Sequence, residues 1–228
     1  MWYQFISVLG QKGIAVLEWL MFRFTPQQSF YALEKFPWHK KVEEKYPQIL
    51  QDLNRALINY DNIPELKEIS EEQQRIVKGN KWKTLFFYAY GEMVKKNCDK
   101  FPHTHNALQN IPGMVTAFYS ILEPQTRLTP HRGTYAGVLR YHLALLVPKN
   151  EKGCLLCIGD ETRHWQAGKS LIFDDTLEHF AQNNTDEIRV VLFVDFKRPL
   201  PFPLSTINSF VIWLIGKSPY IQKIIERV

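Results

Sequence analysis

Two spacings of apolar residues divide the chain into zones. Residues 1–110 are predicted to form a mainly helical extension, in which a helix begins near Pro47 and a second, short helix near Pro64. The second helix would turn Leu66 and Ile69 inward. The first is indicated by apolar residues at three- and four-residue spacing, which are Ile49, Leu50, Leu53, Leu57 and Ile58.

From about Val115 the apolar positions instead alternate with polar ones. Leu139, Tyr141, Leu143 and Leu145 occupy every second position, which is typical of a β-strand. Other short β-branched or aromatic segments are bounded by turn residues, and these are Val115–Leu122, Cys154–Ile158, Ser170–Phe173 and Arg189–Phe196. Several short, closely spaced strands predict a β-sandwich or a jelly-roll barrel over residues 111–200.

The last zone, residues 201–228, follows a series of prolines that should end the last strand. The segment Phe210–Ile215 is apolar, and basic residues with scattered isoleucines come after it. Two interpretations stay open for this amphipathic tail. It either packs as a helix on the barrel, or lies on a membrane surface with its basic side chains among the lipid head groups.

Composition limits the partners of the chain. With 228 residues, of which 45% are hydrophobic, it can bury one substantial core, so a single structural domain is expected. The net charge of +5 is not concentrated in a Lys/Arg block, so it fits an anionic membrane surface or an acidic substrate, and no nucleic acid partner is expected. The segment 1–24 is interrupted by Gln11, Lys12 and Glu18 and resembles neither a signal peptide nor a spanning helix. A cytoplasmic protein is predicted.

Four residues of the β zone suggest chemistry because of where they stand. His131 precedes the strand that carries Arg140 and His142, which share one face because they are two positions apart. His179 follows another apolar strand, and Arg189 begins the next strand ten positions later. Imidazole nitrogen is a suitable ligand for iron, and a ferrous oxygenase uses few protein ligands so that co-substrate and oxygen can also coordinate.

Arg189 begins an otherwise apolar strand, Val190–Val194, and is therefore expected to be buried. A buried guanidinium needs an anion, and its planar fork suits the far carboxylate of a dicarboxylate co-substrate. The alternative is an internal ion pair with one of three nearby acids, Asp186, Glu187 or Asp195.

A second possible metal site is the pair Cys154 and Cys157, with His103 and His105 completing it. Residues three apart on a strand point to opposite faces, so ordinary strand cysteines are favoured.

The ordered motifs of the β zone resemble one family. The stretches PHRGTYAGVLRYHLALLVP and GDETRHWQAGKSLIFDDTLEHFAQNNTDEIRVVLFVDFKRP are similar to the aspartyl/asparaginyl β-hydroxylases, which are Fe(II)/2-oxoglutarate dioxygenases. The similarity covers Val115–Pro199, somewhat over a third of the chain, and Lys81–Lys83 resembles the family's upstream element. The text around Tyr135–Gly137 and Arg140–His142 is most similar to the bacterial enzymes that 2-hydroxylate acyl chains of lipid A and ornithine lipids.

The resemblance implies a fold and an activity. The fold would be α+β, a double-stranded β-helix (jelly-roll) barrel with N-terminal helices and a C-terminal helical tail. The activity would be hydroxylation of a C–H bond with Fe(II), 2-oxoglutarate and dioxygen (O2), in the acyl chain of a bacterial membrane lipid. The tail would then touch the inner membrane peripherally. Hydroxylation of an aspartyl or asparaginyl side chain, and a non-catalytic barrel that binds 2-oxoglutarate, are the alternatives.

Carried over by position, the resemblance implies roles for individual residues. His131 and His179 would ligate iron. Arg189 would bind the far carboxylate of 2-oxoglutarate, with further contacts from Ser120, Trp82, Arg140 and His142. Arg132, beside the first ligand, is either a contact for an anionic substrate group or a solvated turn residue.

The sequence departs from the usual iron triad at one position. The carboxylate two residues after the first histidine is replaced by Gly133. The lipid A hydroxylases carry Asp there and the animal β-hydroxylases carry Gly. Either water fills the vacant place, held by Asp175 as a carboxylate in the outer shell, or the site binds metal poorly. The otherwise intact constellation favours water.

Overall fold

The computed structural model describes residues 11–66 and 75–227. Seven helices of these ranges are α1 (Gln11–Phe24), α2 (Trp38–Glu43), α3 (Tyr46–Leu57), α4 (Lys95–Lys100), α5 (Pro102–Leu108), α6 (Leu204–Gly216) and α7 (Pro219–Arg227). The strands are β1 (Val77–Gly79), β2 (Trp82–Ala89), β3 (Glu92–Met93), β4 (Met114–Leu122), β5 (Thr126–His131), β6 (Val138–Leu146), β7 (Cys154–Ile158), β8 (Glu161–Arg163), β9 (Ser170–Phe173), β10 (His179–Asn183) and β11 (Arg189–Lys197).

The strands form two antiparallel sheets. The five-stranded sheet has the order β1-β5-β10-β7-β8, and the six-stranded sheet has the order β3-β2-β4-β11-β6-β9. Apolar side chains from both sheets, among them Leu156 and Ala181 from one and Phe118 and Phe193 from the other, belong to a single buried cluster. The α+β double-stranded β-helix prediction is therefore confirmed.

The six-stranded sheet is buried on both faces. On β11, Val191 and Phe193 point to the interior shared with the other sheet, whereas Val190 and Leu192 belong to a second cluster together with α3. Successive side chains of a strand point to opposite faces, so a strand covered on both sides needs apolar residues at nearly every position. Helices on one side and the smaller sheet on the other thus enclose β4, β6 and β11.

The N-terminal zone is less purely helical than predicted. The spacing that begins at Pro47 does mark a helix, α3, but β1, β2 and β3 also lie before residue 110, and β2 pairs with β4 inside the larger sheet. The barrel therefore begins well before residue 111. Because β2 is buried on both faces, it lacks the alternation that marks a strand. In the predicted helix after Pro64, Leu66 is buried, and Ile69 lies outside the described residues.

The C-terminal helices pack on the barrel. Four apolar residues of α6 are buried in the cluster or beside it, namely Leu204, Val211, Ile212 and Ile215. Ile221 of α7 is buried in the same cluster. No helix of the described ranges is long and apolar enough to cross a bilayer.

A buried ion pair between Arg198 and Asp174 connects segments that are distant in the sequence. Nη2 of Arg198 lies 2.7 Å from Oδ2 of Asp174, and both side chains are fully buried. Arg198 also donates to the hydroxyl of Tyr31 and to the carbonyl oxygens of Thr25 and Ala136. Asp174 in turn accepts hydrogen bonds from the next turn of chain, which leads to β10. Four segments of the chain, including the one that carries Arg198, therefore meet at one guanidinium.

Replacing one partner of this pair should destabilise the fold strongly. In Asp174→Asn the charge of Arg198 stays buried without its counter-ion, so we expect the free energy of unfolding to fall by about 3–5 kcal/mol. Urea denaturation followed by circular dichroism measures this. The exposed pair Lys95–Asp99 supplies the control, because Asp99→Asn should leave the midpoint unchanged. Equal midpoints for wild type and Asp174→Asn would contradict the prediction.

Candidate functional site

The two predicted metal ligands lie next to each other on adjacent strands of the smaller sheet. His131 ends β5, His179 begins β10, and the two residues are a cross-strand pair. Their ring centroids are 4.1 Å apart. A register shift separates this pair from the pair Leu128–Ala181, so β5 carries one extra residue before His131. The bulge changes the direction of β5 immediately before the histidine.

Both imidazoles are held in the tautomer that suits a metal ligand. Nδ1 of His131 lies 2.7 Å from the carbonyl oxygen of Thr129, and Nδ1 of His179 lies 2.9 Å from that of Leu177. A carbonyl oxygen only accepts hydrogen bonds, so each Nδ1 must carry the proton. Each Nε2 therefore keeps its lone pair for a ligand, and the carbonyls fix the orientation of the rings.

Burial keeps this pair neutral. It lowers the pKa of His179 to about 3, and the neighbouring His131 and Arg140 contribute to the shift. Burial also lowers the pKa of His131, against the opposing hydrogen bond to Thr129. Protons therefore compete little with a metal ion at neutral pH.

Asp175 occupies the space where a side chain at position 133 would lie. A Cβ built on Gly133 would be 2.2 Å from Oδ2 and 2.6 Å from Oδ1 of Asp175. The backbone N–H of Gly133 also donates to the Asp175 carbonyl at 2.7 Å. The Asp175 carboxylate can therefore occupy this position only because residue 133 has no side chain.

The Asp175 carboxylate is only half satisfied. Oδ2 lies 2.8 Å from Nη2 of Arg140, whereas the buried Oδ1 has no hydrogen-bond partner within the described part of the chain. Burial raises the pKa of Asp175 to about 6, although Arg140 acts in the opposite direction. An acceptor of this kind can bind a water molecule or a protonated group, and the predicted outer-shell role of Asp175 stays a prediction.

Arg189 is buried in the barrel, and no carboxylate of residues 11–66 and 75–227 pairs with it. It is 2% exposed, its guanidinium lies 4.6 Å from the ring of Trp165, and its Nε has no hydrogen-bond partner among the described residues. Burial lowers its pKa to about 10. A buried cation without a carboxylate partner is suited to bind an anionic ligand.

The ion pair considered as an alternative for Arg189 does not form. Asp195 is paired with Arg140 at 2.8 Å. Asp186 and Glu187 instead accept hydrogen bonds from the side chain of Gln125 and from the backbone of Lys149. That interpretation was therefore wrong.

Ser120 contacts Arg189, and Trp82 contacts Ser120, while their predicted role in binding 2-oxoglutarate stays a prediction. Nη1 of Arg189 donates to the carbonyl and to Oγ of Ser120, both at 3.3 Å. The indole N–H of Trp82 donates to the same Oγ at 2.9 Å. Because this hydroxyl accepts two hydrogen bonds, its own proton is free to be donated to an anion beside Arg189.

His142 lies between the histidine pair and Arg189. Its Nδ1 accepts a hydrogen bond from the indole of Trp165 at 3.3 Å, so Nε2 carries the proton, and this buried N–H has no partner among the described residues. Burial lowers the pKa of His142 well below its ordinary range, with a contribution from Arg189. The ring of Phe173 contacts both His142 and His179, with centroids 4.9 Å and 6.3 Å apart.

Arg140 is held by two carboxylates. It contacts Asp175 and Asp195 and lies 4.2 Å from the ring of Phe193. Arg140 therefore orients the carboxylate of Asp175. Its predicted contact with 2-oxoglutarate stays a prediction. Arg132 is exposed in the loop after His131, where its predicted substrate contact is also untested.

Two features of the site were not predicted from the sequence. The first is Trp165, which donates a hydrogen bond to His142 and lies against the guanidinium of Arg189. It directly follows four exposed residues, so its neighbours in the sequence do not indicate that it is buried. The second is the ring of Phe173, which was predicted only as part of a strand.

Cys154 and Cys157 are free thiols, and no group of three His, Cys, Asp or Glu residues suited to a metal occurs within residues 11–66 and 75–227.

These donors fit a divalent metal ion and a carboxylate ligand together. Two neutral imidazoles offer lone pairs at one end. The guanidinium of Arg189, the hydroxyl of Ser120 and the N–H of His142 offer donors at the other. With two protein ligands, a metal ion would keep positions for a chelating ligand and a small molecule.

Metal affinity should depend little on pH. Two histidines of ordinary pKa would lose Mn²⁺ affinity by roughly tenfold between pH 7.5 and 6.0, because most of each would be protonated. The lowered pKa values of His131 and His179 predict a clearly smaller loss. Calorimetric titration with Mn²⁺ measures this, with His131→Ala and His179→Ala as variants that should not bind. A tenfold loss in wild type would show that the histidines titrate normally.

A methyl group at position 133 should weaken the site through Asp175. Gly133→Ala forces the carboxylate away from Arg140, and we expect Mn²⁺ affinity to fall about 10-fold or more, as for lost outer-shell partners. In Gly133→Ala/Asp175→Ala the steric conflict is absent, so the two effects should not add. Calorimetry on both single variants and the double variant measures the coupling. Additive losses would mean that the residues act independently.

Comparisons with known proteins identify relatives of this chain. A model of the family described as "Aspartyl/Asparaginyl beta-hydroxylase" matches residues 43–199. An ornithine lipid ester-linked acyl 2-hydroxylase from Rhizobium tropici is 40% identical over 193 residues, which are 85% of this chain and 69% of that protein. The human aspartyl/asparaginyl β-hydroxylase is 30% identical over 190 residues, which are 76% of this chain and 24% of that protein.

Solved structures are more distant. A prolyl-4-hydroxylase from Pseudomonas putida is 14% identical, with a TM-score of 0.43 and coverage of 81% of this chain and 100% of that one. A cupin barrel protein from Salinispora arenicola is 10% identical, with a TM-score of 0.37 and coverage of 67% and 92%. The sequence relatives are hydroxylases, which indicates that this chain is an enzyme. The chain belongs to the aspartyl/asparaginyl β-hydroxylase family.

Proposed function

We propose that this protein is an Fe(II)- and 2-oxoglutarate-dependent dioxygenase that hydroxylates a C–H bond in the acyl chain of a bacterial membrane lipid. Ornithine lipid and lipid A are the candidate substrates. The proposal combines the membership of the family with the chemistry of the donors inside the barrel.

The observation that carries the proposal is the buried guanidinium of Arg189, which has no acidic partner in the described part of the chain. Burying such a charge does not stabilise the fold, because replacement of buried ionic groups by apolar residues of similar volume is often neutral or stabilising. Its presence is explained by an anionic ligand that fills the barrel. A dicarboxylate with its other end at a metal ion would satisfy both halves of the site.

Separate residues would bind iron and 2-oxoglutarate. His131 and His179 would hold iron, and Arg189 with Ser120 would bind the far carboxylate of 2-oxoglutarate. When bound, iron and 2-oxoglutarate supply the oxidant for C–H hydroxylation, with O2 as the oxygen source and succinate and carbon dioxide as by-products.

Other residues would position the ligands and exclude water. Trp82 orients the Ser120 hydroxyl, and the N–H of His142 is a free donor toward an oxygen of the bound ligand. Trp165, Phe173 and Phe193 surround His142 with aromatic surface, which would keep the reacting centre dry. Asp175 would accept a hydrogen bond from a metal-bound water through its free Oδ1.

The lipid substrate is supported by similarity and by charge. The ornithine lipid hydroxylase of Rhizobium tropici matches 85% of this chain, at 40% identity. The human β-hydroxylase is 30% identical, and this chain spans about a quarter of it. The net charge of +5 is also suited to an anionic membrane surface. An aspartyl or asparaginyl substrate is the second arm of the test.

The test measures succinate and the hydroxylated product together. Purified protein with Fe(II), ascorbate and 2-oxoglutarate is given ornithine lipid, lipid A or an Asp/Asn-containing peptide, each in detergent. The proposal expects stoichiometric succinate and a lipid product that is heavier by one oxygen atom. Turnover with the peptide alone would refute the lipid substrate. Absence of both products in every arm would favour a barrel that binds 2-oxoglutarate without catalysis.

Arg189 variants test the co-substrate site directly. Arg189→Lys keeps the charge but loses the planar fork, so we expect KM for 2-oxoglutarate to rise about 10- to 100-fold with a smaller change in kcat. Arg189→Met should lose turnover, yet its ligand-free form should unfold at no lower urea concentration than wild type, because an unpaired buried charge is removed. The exposed His103→Ala serves as the control with unchanged kinetics. Strong destabilisation of ligand-free Arg189→Met would instead indicate an internal partner for Arg189.

A further inference from the structure

Large apolar side chains are exposed on two helices from opposite ends of the chain. Trp19 on α1 is 64% exposed and Trp213 on α6 is 54% exposed. Together with their exposed apolar neighbours they make up what we call the two-helix face, which consists of Val16, Trp19, Phe24, Ile207, Phe210 and Trp213.

The exposure belongs to well-packed helices. The side of α6 that faces the barrel buries Val211 and Ile212, while Phe210 and Trp213 stack on each other on the outer side with centroids 5.8 Å apart. Likewise Met21 of α1 is fully buried. Each helix therefore has apolar residues on two sides, of which the barrel covers only one. A helix that needs one apolar face to fold gains nothing from the second.

The two helices converge on the loop that follows His131. Oε1 of Glu18 in α1 accepts a hydrogen bond from the backbone N–H of Ala136 at 3.4 Å. The side chain of Asn208 in α6 accepts from the hydroxyl of Tyr135 and donates to the carbonyl of Gly137, both at 2.8 Å. Because these partners are consecutive residues, α1 and α6 both contact the same short stretch of this loop. The two-helix face thus borders the loop that leads directly from the first histidine of the site.

The charged residues that lie on this face and in the loop after His131 are arginines. α6 contains no charged residue, and Glu18, the one acidic residue of α1, is turned toward the loop. Arg23 is exposed and lies on the same side of α1 as Val16 and Trp19, at a spacing of seven and four residues. Arg132, in the loop between the face and the site, is also exposed. Aromatic side chains combined with arginine suit the head-group region of an anionic bilayer.

The dimensions favour a helix that lies on the bilayer. α6 has 13 residues and is about 20 Å long, which is shorter than the hydrocarbon core of about 30 Å. We propose that the two-helix face docks on the surface of an anionic phospholipid membrane, so that the loop after His131 is held against the lipid. This inference rests on the proposed function, because a lipid substrate must pass from the bilayer into the barrel.

The docking can be measured without iron or 2-oxoglutarate. Metal-free protein is sedimented with vesicles of phosphatidylcholine, or of phosphatidylcholine with about one third phosphatidylglycerol. We expect binding to the mixed vesicles that weakens with added salt. In Trp19→Ser/Trp213→Ser the partition coefficient should fall at least about tenfold, because two large apolar contacts are lost. Ile58→Ser, at another strongly exposed apolar residue outside the face, should bind like wild type.

Several outcomes would overturn the docking proposal. One is the absence of binding by wild type, and another is an equal loss in Ile58→Ser and in the double tryptophan variant. Light scattering in solution provides the third test, because a dimer that dissociates in the double variant, with no vesicle binding, would identify a second copy as the occupant of the face.

The docking and the activity can be separated experimentally. With substrate dissolved in detergent, the double variant should turn over 2-oxoglutarate like wild type, since neither tryptophan is part of the site. Turnover without vesicle binding would reject the docking alone. Vesicle binding without turnover in any substrate arm would reject the proposed function alone.

Discussion

The structure depends on how three arginines are accommodated in its interior. Arg198 is neutralised by Asp174, and Arg140 is neutralised by Asp175 and Asp195. Arg189 alone has no carboxylate partner among the described residues. A buried charge is tolerated only when it is compensated, so the first two arginines organise the chain and the third defines the kind of ligand that the interior is suited to bind.

The consecutive acids Asp174 and Asp175 connect the scaffold to the site. Asp174 faces Arg198 and through it the segments around Tyr31 and Ala136. Asp175 faces Arg140 and fills the space beside Gly133. The same turn leads into β10, which begins with His179. The backbone contacts of this turn therefore position one histidine, one outer carboxylate and the loop of the other histidine relative to one another.

The loop after His131 links the interior with the two-helix face. Its residues Tyr135 to Gly137 are buried and are held by side chains of α1 and α6. The ends of the chain, which lie far apart in sequence, thus support the same loop. If this face rests on a membrane, docking and access to the barrel involve one structural element, and a lipid has a short path from bilayer to site.

Sequence alone determined the elements whose signal is local. The alternation in β6 and the apolar run in β11 predicted strands, and the polar residue at the start of that run predicted a buried Arg189. The pairing of His131 with His179 was implied only by the resemblance, because nothing local indicates that β5 and β10 are neighbours. Strand β2 was missed because burial on both faces removes the alternation.

Tertiary structure decided what depends on contacts between distant segments. It paired Arg140 with Asp175 and left Arg189 without an acid among the described residues. It also placed Trp165 against both His142 and Arg189, and brought α1 and α6 to the same loop. Sequence periodicity records which face of an element is buried, but the partner across a sheet or loop is fixed by packing and by the compensation of charge. The sequence therefore predicted the strands of the barrel and the candidate residues of the site, whereas the tertiary structure alone determined which charged side chains pair with one another.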